Sequence, residues 1–343
     1  MPSQHMRAVM ETSNELKYRY HPEIPDALAE LASAPSIQRL RHIGMNCGCE
    51  YTSFPVFQRP GSYHRYEHSL GVALIVWHFT HDLKQAVSGL LHDIATPVFA
   101  HVIDFLCGDY LQQEATEDGT SERIEADPQL MSGLKRFCLS LEDVNDYHRY
   151  PIADNDSPRL SADRLEYTIG NILHYGFGTQ AAVDGIYQDL AVLQDENGVP
   201  ELGFEHAEAA KAFSNLSLKC SRLYVSAEDR YAMQRLSELI REAVEQGVLN
   251  PDCLYSTEPE VIKKLNSEPV TRNAWNDYSA MSQVTITEHP EGCLNPRIVY
   301  AKKRYIDPLI QGKGRVSEYC SEYRDELQQY LEETQNVWIS ELR

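Results

Sequence analysis

The sequence predicts a mainly α protein, a helical bundle with a small α+β region towards its C-terminal end. Two textures carry that reading. From about Pro25 to Leu141 the apolar residues mostly recur at helical spacing, as in Leu70-Gly71-Val72-Ala73-Leu74-Ile75-Val76-Trp77. Near residue 266 the texture changes. SQVTITEHPEGCLNPRIVYAKKRYIDPLI alternates β-branched and aromatic residues, broken by Pro-Glu-Gly and Asn-Pro, and predicts two or three short strands. Three spans are expected: an N-terminal arm over 1–25, the main helical domain over 26–265 and a small α+β subdomain over 266–343.

Within the helical part, the prolines and glycine of Phe54 to Tyr63 break any helix and make a loop that delivers the chain to His68. Residues 108–128 are acidic and weakly apolar, and 145–160 are rich in Asn, Asp and Pro, so both are expected to be surface loops. The second leads into a helix beginning near Asp163. Helical pattern continues beyond it, most clearly in AMQRLSELIREAVEQGVL, with Gly and Asn near its end as expected of a helix terminus. The last stretch, VSEYCSEYRDELQQYLEETQNVWISEL, returns to a charged helical pattern.

Bulk properties narrow the function. The chain of 343 residues can bury a real core, since single cores stop growing near roughly 250–300 residues. No run approaches the roughly 18 apolar residues of a membrane span, and the first twenty residues lack an apolar stretch after their basic residues. A soluble protein of the cytoplasm is expected. Eight cysteines spread over the chain without a CxxC pair are expected to be reduced thiols, with Cys47-Gly48-Cys49 a turn. A net charge of −20 opposes attraction to nucleic acid or to anionic membranes. A small anionic substrate stays open, because clustered arginines and a bound cation can outweigh the global field inside a pocket.

The chemistry concentrates in His64-Arg65-Tyr66-Glu67-His68-Ser69-Leu70-Gly71-Val72 and, one helical hairpin later, Ser88-Gly89-Leu90-Leu91-His92-Asp93-Ile94. Neutral imidazole and carboxylate are good ligands for one divalent cation: Mn, Fe, Co, Ni, Zn or Mg. His92 and Asp93, at the end of an apolar helix, can both swing towards one ion, with His68 supplied from a facing helix. Asp163, opening an apolar helix, is the best placed fourth ligand. Such a set leaves positions for water and a phosphate oxygen, which a hydrolytic site requires.

HRYEHSLGV, LLHDIATPVFAH and SADRLEY together closely resemble the ordered signatures of the HD-domain phosphohydrolases, in particular the branch of bacterial dGTP triphosphohydrolases and sterile-alpha-motif/HD-domain dNTP triphosphohydrolases. Ile37 to Ile43, Ser221 to Val225 and a strand over Lys303 to Leu309 resemble further segments of that family, so the resemblance covers roughly residues 25–315. It implies an HD helical bundle, the same four metal ligands, a small phosphorylated substrate such as a nucleotide, and a homo-oligomer. It also implies that Arg65 contacts substrate phosphate, a role suited to a bidentate and permanently charged guanidinium. His101 matches the proton donor to the leaving oxygen, with Asp104 one turn later to orient it. Tyr167 and Tyr224 match pocket tyrosines, while Lys303 and Arg304 are expected to help neutralise phosphate oxygens.

The sequence departs from that branch around the metal. Thr96 stands where a second phosphate-touching histidine is usual; it can hydrogen-bond substrate but cannot carry a proton. Residues 117–122 hold no histidine, only carboxylates that would repel a polyphosphate. Met45 replaces a sugar-reading glutamine and Asn171 an aspartate. Release of triphosphate and release of monophosphate therefore both stay open. A binuclear phosphodiesterase or oxygenase and a non-catalytic nucleotide-binding regulatory module are the alternative readings.

Overall fold

The computed structural model describes residues 19–103 and 119–342. Among these, two short helices, α1 (Asp26–Ala32) and α2 (Pro35–Arg39), precede the central hairpin of α3 (Arg65–Thr80) and α4 (Leu83–Leu91). Two residues, His81 and Asp82, join the hairpin: His81 takes φ 50°, and Asp82 caps α4 by accepting from the amides of Lys84 and Gln85. Between Arg65 and Val76 only Glu67 is not buried. A helix apolar on nearly every side belongs at the centre of a bundle, and this one packs against α4 on one flank and, on another, the helix that carries Asp163.

Helices α5 (Thr120–Glu125) and α6 (Pro128–Arg136) follow, then α7 (Ala162–His174) and α8 (Gln180–Gln188). The acidic stretch expected as a loop thus contains α5 among its described residues. The stretch over 145–160 does lack long helix, yet it is no mere surface loop. Tyr147 and Asp154 within it are buried, because it forms one wall of a cavity.

A departure from the expected helical run follows α8. Strands β1 (Leu190–Gln194) and β2 (Pro200–Phe204) form an antiparallel hairpin, Leu190 opposite Phe204, within the span expected to be helical. Next come α9 (Ala207–Leu223) and α10 (Ala227–Glu245), the latter ending before Gly247 at φ 73°, where the sequence placed its terminus. Then follow α11 (Glu258–Leu265) and α12 (Pro269–Ala280).

The expected strands appear as β3 (Val284–Thr287), β4 (Leu294–Ile298) and β5 (Leu309–Ile310), followed by β6 (Gly314–Arg315), helices α13 (Val316–Tyr319) and α14 (Ser321–Glu332), and β7 (Trp338–Glu341). Residues 301–308 make no strand. Pro308 lacks an amide donor, and Asp307 spends its carboxylate on the amide and hydroxyl of Ser317. Strand β7 lies between β3 and β4 in one antiparallel sheet, while β5 pairs in parallel with β2 in the other. That parallel pairing brings residues 301–307 back to the 155–158 segment, where the Asp307 amide donates to the Pro158 carbonyl at 2.8 Å.

Glu258, at the start of α11 and 2% exposed, ties three distant segments together. It accepts from the amides of Gly44 and Phe99, at 3.0 and 3.3 Å, and from the Tyr51 hydroxyl at 2.8 Å. This holds Phe99 and Ala100 in left-handed backbone, φ 58° and 43°, immediately before His101. Glu258→Ala leaves those donors unpaired and is expected to cost about 3 kcal/mol, read by urea denaturation. Burial, then the neighbouring Glu258 carboxylate, raises Glu50 from 4.5 to about 8. A raised acid stabilises the fold below its ordinary value and loses that contribution as pH climbs to the folded value. Stability should therefore fall between about pH 5 and 8, and Glu50→Gln should flatten that slope; an unchanged slope would show that another group governs it.

Candidate metal centre

Each ligand candidate reaches the centre from a different backbone setting. His68 sits one turn into α3, His92 at the C-terminal cap of α4, Asp93 in the turn after it, and Asp163 in the first turn of α7. That turn of α7 is fixed by Ser161, whose hydroxyl accepts from the Arg164 amide and donates to buried Asp154. The turn after α4 is fixed from outside by Arg39, which donates to the carbonyls of Ile94 and Thr96 at 3.0 and 2.7 Å.

The histidines are set by their outer nitrogens. His68 Nδ1 lies 2.7 Å from Glu166 Oε2, and His92 Nδ1 lies 2.7 Å from the Gly89 carbonyl. Both partners are acceptors, so both Nδ1 atoms carry hydrogen and each ring turns its Nε2 inward. Those two Nε2 atoms stand 3.1 Å apart, with Asp163 Oδ1 3.0 Å from the first and 3.8 Å from the second. Ligand atoms held at roughly 2.1 Å from one ion, at tetrahedral or octahedral angles, would stand roughly 3.0–3.4 Å apart. Two lone pairs and a carboxylate facing one another require a positive charge between them, and two of the three spacings fall in the range for a shared divalent cation, the 3.8 Å pair lying outside it. A proton also answers that need: although burial opposes it, hydrogen bonds to Asp163 and Glu166 raise His68 to about 10. Asp163, for all its burial, is lowered to about 2 by its bond to His68.

Asp93 stands slightly apart from this trio. Its Oδ2 lies 3.5 Å from His92 Nε2 and 3.7 Å from His68 Nε2, but both carboxylate oxygens accept from Arg65 Nη1, at 2.6 and 2.7 Å. Burial opposes its charge, yet Arg65, His92 and His68 hold it far below the ordinary carboxylate range. Arg65 is itself buried, and its Nε has no protein partner.

The centre lies on the wall of a cavity of about 700 Å³ that also reaches Arg65, His101, Tyr167, Tyr224, Lys303 and Arg304. Thr96 is placed differently from the expectation of a substrate contact. It is fully buried behind Asp93 and donates to Oδ1 at 2.8 Å. Lys303 borders the cavity, but its ammonium caps the end of α14, donating to the carbonyls of Tyr330, Leu331 and Glu333 at 2.9, 2.6 and 2.6 Å. Asp104 lies outside the described residues.

Sequence reasoning missed Glu166. Fully buried, it accepts from the hydroxyls of Tyr20 and Tyr63 as well as facing His68. Its spacing three residues after Asp163 was a usable signal, since i and i+3 share a helix face. The close approach of α3 and α7 is permitted by glycine: a Cβ on Gly71 would meet Glu166 Cγ at 2.6 Å, and one on Gly170 would run into the Tyr63 hydroxyl. Tyr147, also missed, lays its ring 4.9 Å from that of His92, and the adjacent His148 pairs with Asp154 at 2.9 Å.

A helical bundle that gathers two imidazoles, a carboxylate and an arginine-held aspartate on a cavity wall has the donor set of a divalent-metal centre. No family model matches the chain. It is 25% identical to the uncharacterized protein YdhJ of Bacillus subtilis over 260 residues, 75% of this chain and 76% of that protein. It is 27% identical over 243 residues to a protein of Cordyceps militaris named metal-dependent phosphohydrolase cns2, a match covering 66% of this chain and 65% of the relative.

Removing the carboxylate that orients a ligating histidine weakens metal binding by about 10- to 100-fold. Glu166→Ala should do so here, measured by competition with a chromophoric chelator. Unchanged affinity in a folded variant would remove Glu166 from any role in the metal centre.

Proposed function

We propose that this cavity is the active site of a metal-dependent phosphohydrolase acting on a nucleotide or a related small phosphate ester. The observation that carries the reading is the convergence of the His68 and His92 lone pairs with Asp163 beside Arg65. The similarity to a protein named metal-dependent phosphohydrolase supports it, as does a cavity volume of about 700 Å³, within the range of small-molecule sites.

In this reading His68, His92, Asp93 and Asp163 hold the ion. When bound, a divalent cation supplies Lewis acidity, lowering the pKa of water and neutralising phosphoryl oxygens. Glu166 keeps the His68 ring turned inward, and the Gly89 carbonyl does the same for His92. Arg65 borders the cavity as the proposed phosphate contact, while Thr96 and Arg65 fix the Asp93 carboxylate. His101 is the proposed proton donor to the leaving oxygen, with Asp104 as its proposed orienting group, and Arg304 borders the same space. Tyr167 and Tyr224, whose rings meet edge to face at 6.3 Å, take the organic part of the substrate.

Protein stripped of metal should release no phosphate from p-nitrophenyl phosphate or a nucleotide panel, and Mn, Co or Mg should restore release. His92→Ala and Asp93→Ala should each bring the restored rate to background while leaving the thermal transition cooperative. Full activity in either variant would sink the assignment, and so would activity indifferent to metal removal.

A further inference from the structure

The cations around the cavity are more numerous than the positive charge they can offer to a ligand. Five basic side chains border it: Arg65, Arg164, Lys302, Lys303 and Arg304. Three have their charged ends committed within the protein. Lys303 caps α14 with three hydrogen bonds. Arg164 faces Asp154 at 3.2 Å and donates to the Arg159 carbonyl at 2.7 Å and to both oxygens of Asn155. Arg65 gives Nη1 to Asp93 and keeps Nε without a partner.

Carboxylates border the same space. Besides Asp93 and Asp163, the cavity is lined by Asp154 and Asp156, while burial raises Asp229 from 3.8 to about 8 and leaves it largely uncharged at neutral pH. The wall formed by Tyr167, Tyr175, Tyr224 and Asn171 carries no charged side chain. There the Asn171 amide donates to the Tyr224 hydroxyl at 2.7 Å, and its buried oxygen has no protein partner. An uncharged ring bearing a hydroxyl or amino group would supply that missing donor.

A phosphomonoester carries about −1.5 to −2 charge at neutral pH, and each further phosphoryl group adds roughly one more. One divalent cation balances a single phosphoryl group. A triphosphate chain would need further positive partners in a cavity whose arginines and lysines are largely spent on protein oxygens. Each unbalanced approach to a carboxylate costs more there than in bulk water.

We propose that the substrate is a monophosphate ester of an uncharged, nucleoside-like group, cleaved to orthophosphate and the free alcohol, rather than a nucleoside triphosphate. This rests on the phosphohydrolase reading. Water adds its oxygen to phosphorus, the P–O bond to the organic group breaks, and the leaving oxygen takes up a proton, so no further reactant is needed.

The test uses the full chain loaded with Mn or Co and offered mono-, di- and triphosphates of adenosine, guanosine and their 2′-deoxy forms, with products followed by phosphorus NMR. The expected result is orthophosphate as the product, with kcat/KM for the best monophosphate at least about tenfold above that of its triphosphate. Tripolyphosphate release, or equal or better use of the triphosphate, overturns the substrate assignment and leaves the phosphohydrolase reading standing. If metal binds by calorimetry and neither these nucleotides nor p-nitrophenyl phosphate is turned over, both are overturned.

Discussion

The structure turns on two hydrogen bonds made on the far side of the histidines from the cavity. Because Glu166 and the Gly89 carbonyl each accept from an Nδ1, the two Nε2 lone pairs are directed at one another and at Asp163. Like-signed electron pairs 3.1 Å apart would not persist without a shared positive charge. The convergence of these donors is thus set by tautomers, which depend on partners on the far side of each ring.

Those partners explain much of the surrounding architecture. Glu166 can approach His68 only because Gly71 leaves room on α3, and Tyr63 reaches Glu166 only because Gly170 leaves room on α7. The loop over 54–63 serves as a route for delivering Tyr63. The turn bearing His92 and Asp93 is clamped by Arg39 on its carbonyls and by Thr96 and Arg65 on its carboxylate. Most of the polar groups near the centre are engaged, and two that lack protein partners, Arg65 Nε and Asn171 Oδ1, both belong to residues bordering the cavity.

The sequence makes the helical class and the meeting of His68, His92 and Asp163 readable, because ligand residue types at helix starts and ends are local features. The same local reasoning passes over β1 and β2, although Asn197-Gly198 between apolar runs is a hairpin signal and Gly198 does take φ 76°. Partnerships across the chain are not legible. Thr96 looks like a phosphate contact until the fold places Asp93 in front of it, and Lys303 looks like a free cation until α14 ends beside it. Glu166 meets Tyr20 across 146 residues, a pairing that no spacing rule reports.

That last contact redraws the edge of the candidate metal centre. Tyr20 is 1% exposed, donates to Glu166 at 3.0 Å, and gives its carbonyl to the Tyr187 hydroxyl at 2.9 Å. By periodicity alone the bundle starts at Asp26, and a chain trimmed there would keep every ligand residue. It would also lose one of the two hydroxyls that hold the carboxylate behind His68. The short segment before the first bundle helix is therefore a rear wall of the candidate metal centre, and a fragment that keeps both hydroxyls on Glu166 must include Tyr20.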